Sequence, residues 1–319
     1  MKMMELMRYA RIPIELNMAG VKEVAILTDT EIEPEVPEAL AAAAYQLGLE
    51  PTVITMIKRP VHGMEPTKIM AKALLGSDLM LFATSTGMAH TDAVREASKV
   101  GAKYIGMPHI TIDTLCRGAA TADYGEVQKI TRQVAEILAA GKQVRITTKA
   151  GTDVTMGIAG RKCHQLAGVW RAGSVACFPD GEVALAPLEG TARGKIVIDS
   201  SMHQIGLLKD PIIWTVEAGK VVKIEGKSEA TILQDILRKR GDENSFCIGE
   251  LAVGTNPQAR KSSNVSEDKK RIGAIHIALG DNATLGGNIV STTHLDGIIE
   301  FPTLYVDNRL VISEGKLQI

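Results

Sequence analysis

VKEVAILTDTEIEPEVPEALAAAAYQLGLEPTVITMI, residues 21–57, decides the fold of the first half of the chain. Its opening run (21–30) is apolar and β-branched and ends in polar residues, as a strand does. The segment 34–49 has prolines near its start and Gly48 near its end, the marks of a helix. PTVITMI (51–57) reads as a second strand. The alternation continues outward from there. EPTKIMAKALLGS (65–77) is a helix, DLMLFATST (78–86) a third strand, HTDAVREASKVGA (90–102) a helix and KYIGMP (103–108) a fourth strand. YGEVQKITRQVAEILAAG (124–141) closes the series as a helix. Such an order implies a parallel sheet with helices on both faces.

After Gly141 the texture changes. KQVRITTKAGTDVTMGIAG, GKIVIDSS, PIIWTVEAGKVVKIEG and TLYVDNRLVISEGKL are β-branched runs split by glycine-containing turns. Only SEATILQDILRKRG (228–241) has a helical pattern. The expected architecture is therefore an α/β domain over 1–143 and a β-rich, antiparallel, metal-binding domain over 144–319. KSSNVSEDKKR (261–271) is expected to be a mobile surface loop.

Composition removes several classes of function. The 319 residues are 45% hydrophobic, enough for a sizeable core. Lys and Arg number 36 against 37 Asp and Glu, with no long basic block, which argues against a nucleic-acid partner. Aromatics at 3% leave no platform for stacking single strands. No apolar run reaches the roughly 18 residues of a membrane helix. The start, MKMMELMRYARIPIE, carries charge where a signal peptide is apolar. Cys116, Cys163, Cys177 and Cys247 form no CxxC pair. A cytoplasmic protein with reduced thiols is expected, acting as a homodimer on a small molecule or short peptide.

In the first half there is no GxGxxG and no P-loop lysine motif, and the turn LTDTEIEPEVP has the wrong charge to hold phosphate. Ligands of such sheets sit beyond the strand C-termini. His90 follows the third strand and His109 the fourth, so both belong to that rim. The plain alternative for His90 is a helix N-terminal residue facing solvent.

The second half carries the stronger signal. In THLDG, His294 and Asp296 are two apart, so on a strand they share a face. In AIHIALG, His276 shares its face with Ala278 while Ile275, Ile277 and Leu279 line the other. Glu250 in IGELAVG and Glu182 in FPDGEVALAP are lone carboxylates beside or within apolar runs. A buried carboxylate is costly unless paired or bound to metal. Imidazole with carboxylate suits zinc, manganese, cobalt or ferrous iron. Any single member could be a salt-bridged strand residue, but four such segments together favour a metal site. His164, next to Cys163 in RKCHQL, reads as a solvated loop residue, and His203 in SSMHQIG as a supporting or surface residue.

FPDGEVALAP, GTARG, GELAVGTNP, HIALGDN and THLDG resemble motifs of the metal-dependent aminopeptidases of the T and S type and of their shorter relatives, the 2,5-dihydroxypyridine dioxygenases. The peptidase resemblance implies a two-metal site at Glu182, Glu250, His276, His294 and Asp296. The dioxygenase resemblance implies one ferrous iron at the positions of Glu250, His294 and Asp296, with a base-like histidine at His90. In the dioxygenase the Glu250 position is a histidine and the Glu182 position is not acidic. This chain keeps all the carboxylates, yet GDNATLGG stands where the peptidases have a tyrosine.

The leading expectation is hydrolysis of an amide bond by water activated between two divalent ions, Zn, Mn or Co, in a cleft between the domains. Glu182 is then a ligand or the base. The second is a mononuclear Fe(II) dioxygenase, with His276, His294 and a carboxylate as a facial triad. The third is a metal-dependent binding protein without turnover.

Overall fold

Strands rich in Val, Ile and Leu with no polar alternation must be covered on both faces, and the first unit shows this arrangement. In the computed structural model, which describes residues 2–319 except 90, 173, 174 and 263, five strands form a parallel sheet. Their order is Glu50–Met56, Glu23–Asp29, Leu79–Ala83, Lys103–Gly106 and Ala176–Cys177. Six of the seven residues of Glu23–Asp29 and all of Leu79–Ala83 are buried. Helices Glu35–Gln46, Lys68–Leu74 and Asp92–Lys99 fall within the expected segments, the last two N-capped by Thr67 and Thr91. A further helix, Lys2–Glu15, precedes the first strand.

The second unit is antiparallel. One sheet has eight strands and the other seven. Helix Ser228–Arg240 ends at Gly241, which takes the left-handed conformation that stops helices. The core of this unit joins Val144, Ile146, Ile196, Trp214 and Leu304 to Leu251, Ile277, Leu279 and Leu295.

The packing divides the chain at a different place from the change of texture at 143/144. The residues up to Tyr124 and Leu166–Asp180 form one compact unit; Gly125–Gln165 and Gly181–Ile319 form the other. Helix Tyr124–Ala140 joins the second because Val134, Ala135 and Leu138 bury their side chains in its core. Segment 166–180 joins the first because it supplies the strand that extends the parallel sheet. Among the described residues, no helix is long and apolar enough to cross a membrane.

Candidate metal centre

Four adjacent strands of the seven-stranded sheet carry the metal-competent side chains: Glu182–Leu185, Ile248–Gly254, Ile275–Gly280 and His294–Ile299. Their register puts Glu182 opposite Gly254, Ala252 opposite His276, and Glu250 opposite Ala278, which in turn faces Asp296. His294 pairs with Gly280. Paired residues share a sheet face, so Glu182, Glu250, His276, His294 and Asp296 all stand on one side. Their neighbours there, Ala184, Ala252, Ala278 and Gly280, are too small to cover them. The other side presents Val183, Leu251, Val253, Ile275, Ile277 and Leu279 to the core. The period of two thus sorts large aliphatics from donors.

A register shift between Ile248 and Glu250 accompanies the approach of Gly249 to the next strand, where a β-carbon would meet the Gly280 carbonyl oxygen at 2.5 Å.

The donors form two overlapping groups, Glu182 with Glu250 and His276, and Glu250 with His294 and Asp296, whose ligand atoms lie within 4.8 Å of one another in each group. Glu250 is common to both: its Oε1 is 3.2 Å from His276 Nε2 and its Oε2 is 2.9 Å from His294 Nε2. Asp296 Oδ1 lies 3.2 Å from the same His294 nitrogen. His276 is wholly buried and Glu250 nearly so, whereas 39% of the His294 side chain is exposed.

His294 Nδ1 lies 2.9 Å from the carbonyl of Asp281. A carbonyl only accepts, so Nδ1 carries the hydrogen and Nε2 is left to face the carboxylates, as a histidine ligand requires. Burial works against a charged His294, but hydrogen bonds and charge from Asp296 and Glu250 outweigh it and raise its pKa well above the usual value. Burial also works against ionised Glu250, which His276 and His294 nevertheless hold below the usual carboxylate range. The cluster therefore concentrates negative charge around one imidazole nitrogen. In neutral His294 the hydrogen sits on Nδ1, Nε2 has none to give, and Asp296 Oδ1 and Glu182 Oε2 are left as buried acceptors without a donor. Convergent carboxylate oxygens, a pre-set Nε2 and unsatisfied buried acceptors fit a divalent ion taking mixed nitrogen and oxygen ligands.

Two residues of this site come from the segment expected to be a mobile loop. Within 261–271, Val265–Asp268 is a short helix capped by Asn264, and Glu267, Asp268 and Lys270 are buried. Asp268 accepts from Ser262 N at 2.7 Å and Ser201 Oγ at 2.9 Å. The turn delivers Lys269 Nζ to 2.8 Å from Asp296 Oδ2, and Lys270 Nζ to 2.6 Å from Glu182 Oε1. The run EDKKR looks like a solvated charge cluster by composition; only its partners, such as Glu182 lying 88 residues before Lys270, show otherwise.

His164 also departs from expectation. It begins the short strand His164–Leu166 rather than lying in a solvated loop, and its Nε2 is buried with no hydrogen-bond partner. Burial and then Lys162 lower its pKa, opposed by the Leu285 carbonyl and the charge of Glu250. His203 donates its backbone N–H to the Asp296 carbonyl at 2.9 Å, beside the ligand strand. In the first unit, Asp29 Oδ2 at the end of its strand accepts from Ser85 N and Oγ at 2.7 and 2.9 Å. His109 has φ 58 and its ring centroid lies 5.4 Å from that of His62. His90 lies outside the described residues.

A family model described as 2,5-dihydroxypyridine 5,6-dioxygenase (NicX) matches residues 13–319. The chain belongs to that family. A curated 2,5-dihydroxypyridine 5,6-dioxygenase from Pseudomonas putida is 23% identical over 152 residues, 44% of this chain and 43% of that protein. That match therefore spans well under half of the relative's length. The solved structure of the 2,5-dihydroxypyridine dioxygenase from Pseudomonas putida KT2440 superposes with a TM-score of 0.81 at 18% identity, covering 98% of this chain and 96% of that one. Wild-type AmpT from Thermus thermophilus superposes at 0.67 with 16% identity, covering 99% of both chains. Both share the fold, an N-terminal parallel-sheet α/β domain followed by a β-rich antiparallel region.

The family match corrects the leading expectation of amide hydrolysis. The aminopeptidase reading rested on the retention of all the carboxylates, and the family model and the curated relative both carry a dioxygenase name instead. Physically, Glu182 is paired with Lys270, so its retention is no mark of a second ion.

Proposed function

We propose that this protein is a mononuclear Fe(II) dioxygenase of the NicX family that opens the ring of a hydroxylated, nitrogen-containing aromatic resembling 2,5-dihydroxypyridine. The observation that carries the proposal is the convergence of Glu250 Oε2 and Asp296 Oδ1 on His294 Nε2, within the family's fold. Glu250, His294 and Asp296 would hold the ion. Ferrous iron bound there supplies the electron transfer to dioxygen that ring cleavage needs.

The chain's own residues then have defined tasks. His276 fixes Glu250 by its 3.2 Å contact, and Lys269 holds Asp296 Oδ2, leaving Oδ1 for the ion. The exposed flank of His294 leaves an approach for a planar substrate. His90, by its place in the family pattern, would take the proton of the substrate hydroxyl. The ligand set departs from the two-histidine, one-carboxylate triad, because Glu250 stands where the dioxygenase has a histidine.

The test is anaerobic loading of the metal-stripped protein with Fe(II), then 2,5-dihydroxypyridine and dioxygen. Stoichiometric oxygen uptake with loss of the pyridine absorbance is expected. Absence of uptake across a panel of dihydroxypyridines and catechols, on protein that holds its iron, overturns the proposal.

A further inference from the structure

We infer that Lys269 and Lys270 restrict this centre to a single divalent ion by filling with ammonium charge the half that faces Glu182. The inference deepens the mononuclear reading above and rests on it for the presence of a metal. Glu182, Glu250 and His276 are by composition as good a ligand group as Glu250, His294 and Asp296. What separates the two groups is the cations already beside them. Lys270 Nζ lies 2.6 Å from Glu182 Oε1, with the two side chains 4% and 3% exposed. Lys269 Nζ reaches the same oxygen at 3.9 Å while contacting Asp296 Oδ2. Both ammonium groups face Glu182 Oε1, so an ion at this carboxylate could take only Oε2, directly beside two fixed positive charges.

Charge decides the stoichiometry. Glu182, Glu250 and Asp296 bring three negative charges, and the two lysines return two positive ones. With neutral imidazoles, one divalent ion leaves the group at about +1, and two ions leave it at about +3. A net charge of that size in a buried cluster is strongly unfavourable, because Coulomb repulsion at short range is poorly screened there.

The lysines are built in. Gly254 has no β-carbon, and one placed there would overlap the Arg271 carbonyl oxygen, so the lysine turn lies directly against the strand end. Asn256 N donates to the Lys270 carbonyl at 2.9 Å, and Glu267 binds Arg260 through a 3.1 Å ion pair. These contacts fix the backbone from which Lys270 reaches Glu182.

The experiment is elemental analysis and calorimetric titration of metal-stripped protein with Fe(II) and, separately, Zn(II), under anaerobic conditions. Wild type should take one equivalent of either. Lys270→Met removes the cation beside Glu182 and should take two equivalents of Zn(II), and Lys270→Met/Glu182→Gln should return to one. Two equivalents on wild type, or one on folded Lys270→Met, overturn the inference. Should Lys270→Met be unfolded without metal, excess Zn(II) should restore its circular dichroism, and failure to do so also counts against it. Wild type that binds one ion but consumes no oxygen removes the dioxygenase reading and leaves this inference standing.

Discussion

His294 Nδ1 donates to the Asp281 carbonyl across 2.9 Å, which aims Nε2 of the same ring at Glu250 and Asp296. The strand does the rest: His294 and Asp296, two residues apart, share a face and bring their donor atoms to 3.2 Å. His294→Ala and Asp296→Ala should each lower metal affinity by more than the about 10–100-fold lost with a supporting hydrogen bond. Folding should be retained. Metal content of gel-filtered, folded protein checks this, and full occupancy in both variants would remove the pair from the centre.

Glu250 occupies the position where the dioxygenase pattern has a histidine, so its replacement tests the ligand set. Glu250→His completes a two-histidine, one-carboxylate triad and should keep one equivalent of Fe(II) with oxygen-dependent turnover. Glu250→Ala leaves His276 without its 3.2 Å partner and should lose the metal. Equal iron retention in wild type and Glu250→Ala would show that Glu250 is structural.

His90 is the one candidate from the first half of the sequence that the resemblance singles out. Loss of general base catalysis typically costs about 10²–10⁴-fold. His90→Ala should lower turnover within that range while Fe(II) content and thermal stability stay at wild-type values. Loss of iron would make it a ligand instead, and unchanged turnover would remove it from the chemistry.

Gly254 allows the turn bearing the two lysines to pack on the end of its strand, where Gly254 N donates to Ala274 O at 2.9 Å. Gly254→Ala forces a β-carbon into the Arg271 carbonyl oxygen and lies 2.9 Å from that of Lys269. Overpacking of this kind costs about 1–3 kcal/mol. Chemical denaturation should show that loss, and a variant as stable as wild type would mean the turn is free to shift.

Glu300, next after the strand that carries His294 and Asp296, gives an acid dependence of stability. Burial pushes its carboxyl up, but the Ser200 hydroxyl, Arg271 and Lys261 outweigh that and hold it below the ordinary range. Its Oε1 is 2.6 Å from both Ser200 Oγ and Arg271 Nη2. A depressed folded-state pKa gives stability that is present above the unfolded value, about 4.3, and lost as pH falls through the folded one. The melting-temperature gap between wild type and Glu300→Gln should be widest near neutrality and close as pH drops below about 4. A gap that widens on acidification would contradict the sign.

The sequence by itself determined the parallel α/β half, the antiparallel half and the sharing of one strand face by His294 and Asp296, because these follow from local periodicities of 3.6 and 2 that the side chains must obey. Glu250, Glu182 and His276 were legible as carboxylates and an imidazole standing in apolar strands. Their order across the sheet was not, since register between strands of distant sequence is set by packing and hydrogen bonding rather than by any one strand. Only the tertiary structure placed helix Tyr124–Ala140 with the second core, and only it turned EDKKR from a solvated run into a buried Lys270 beside Glu182 and a partly buried Lys269 beside Asp296. A lysine's pattern on its own strand or turn says nothing of which carboxylate it will meet. That choice belongs to the fold, because a buried charge persists only where the chain brings its counter-charge from elsewhere.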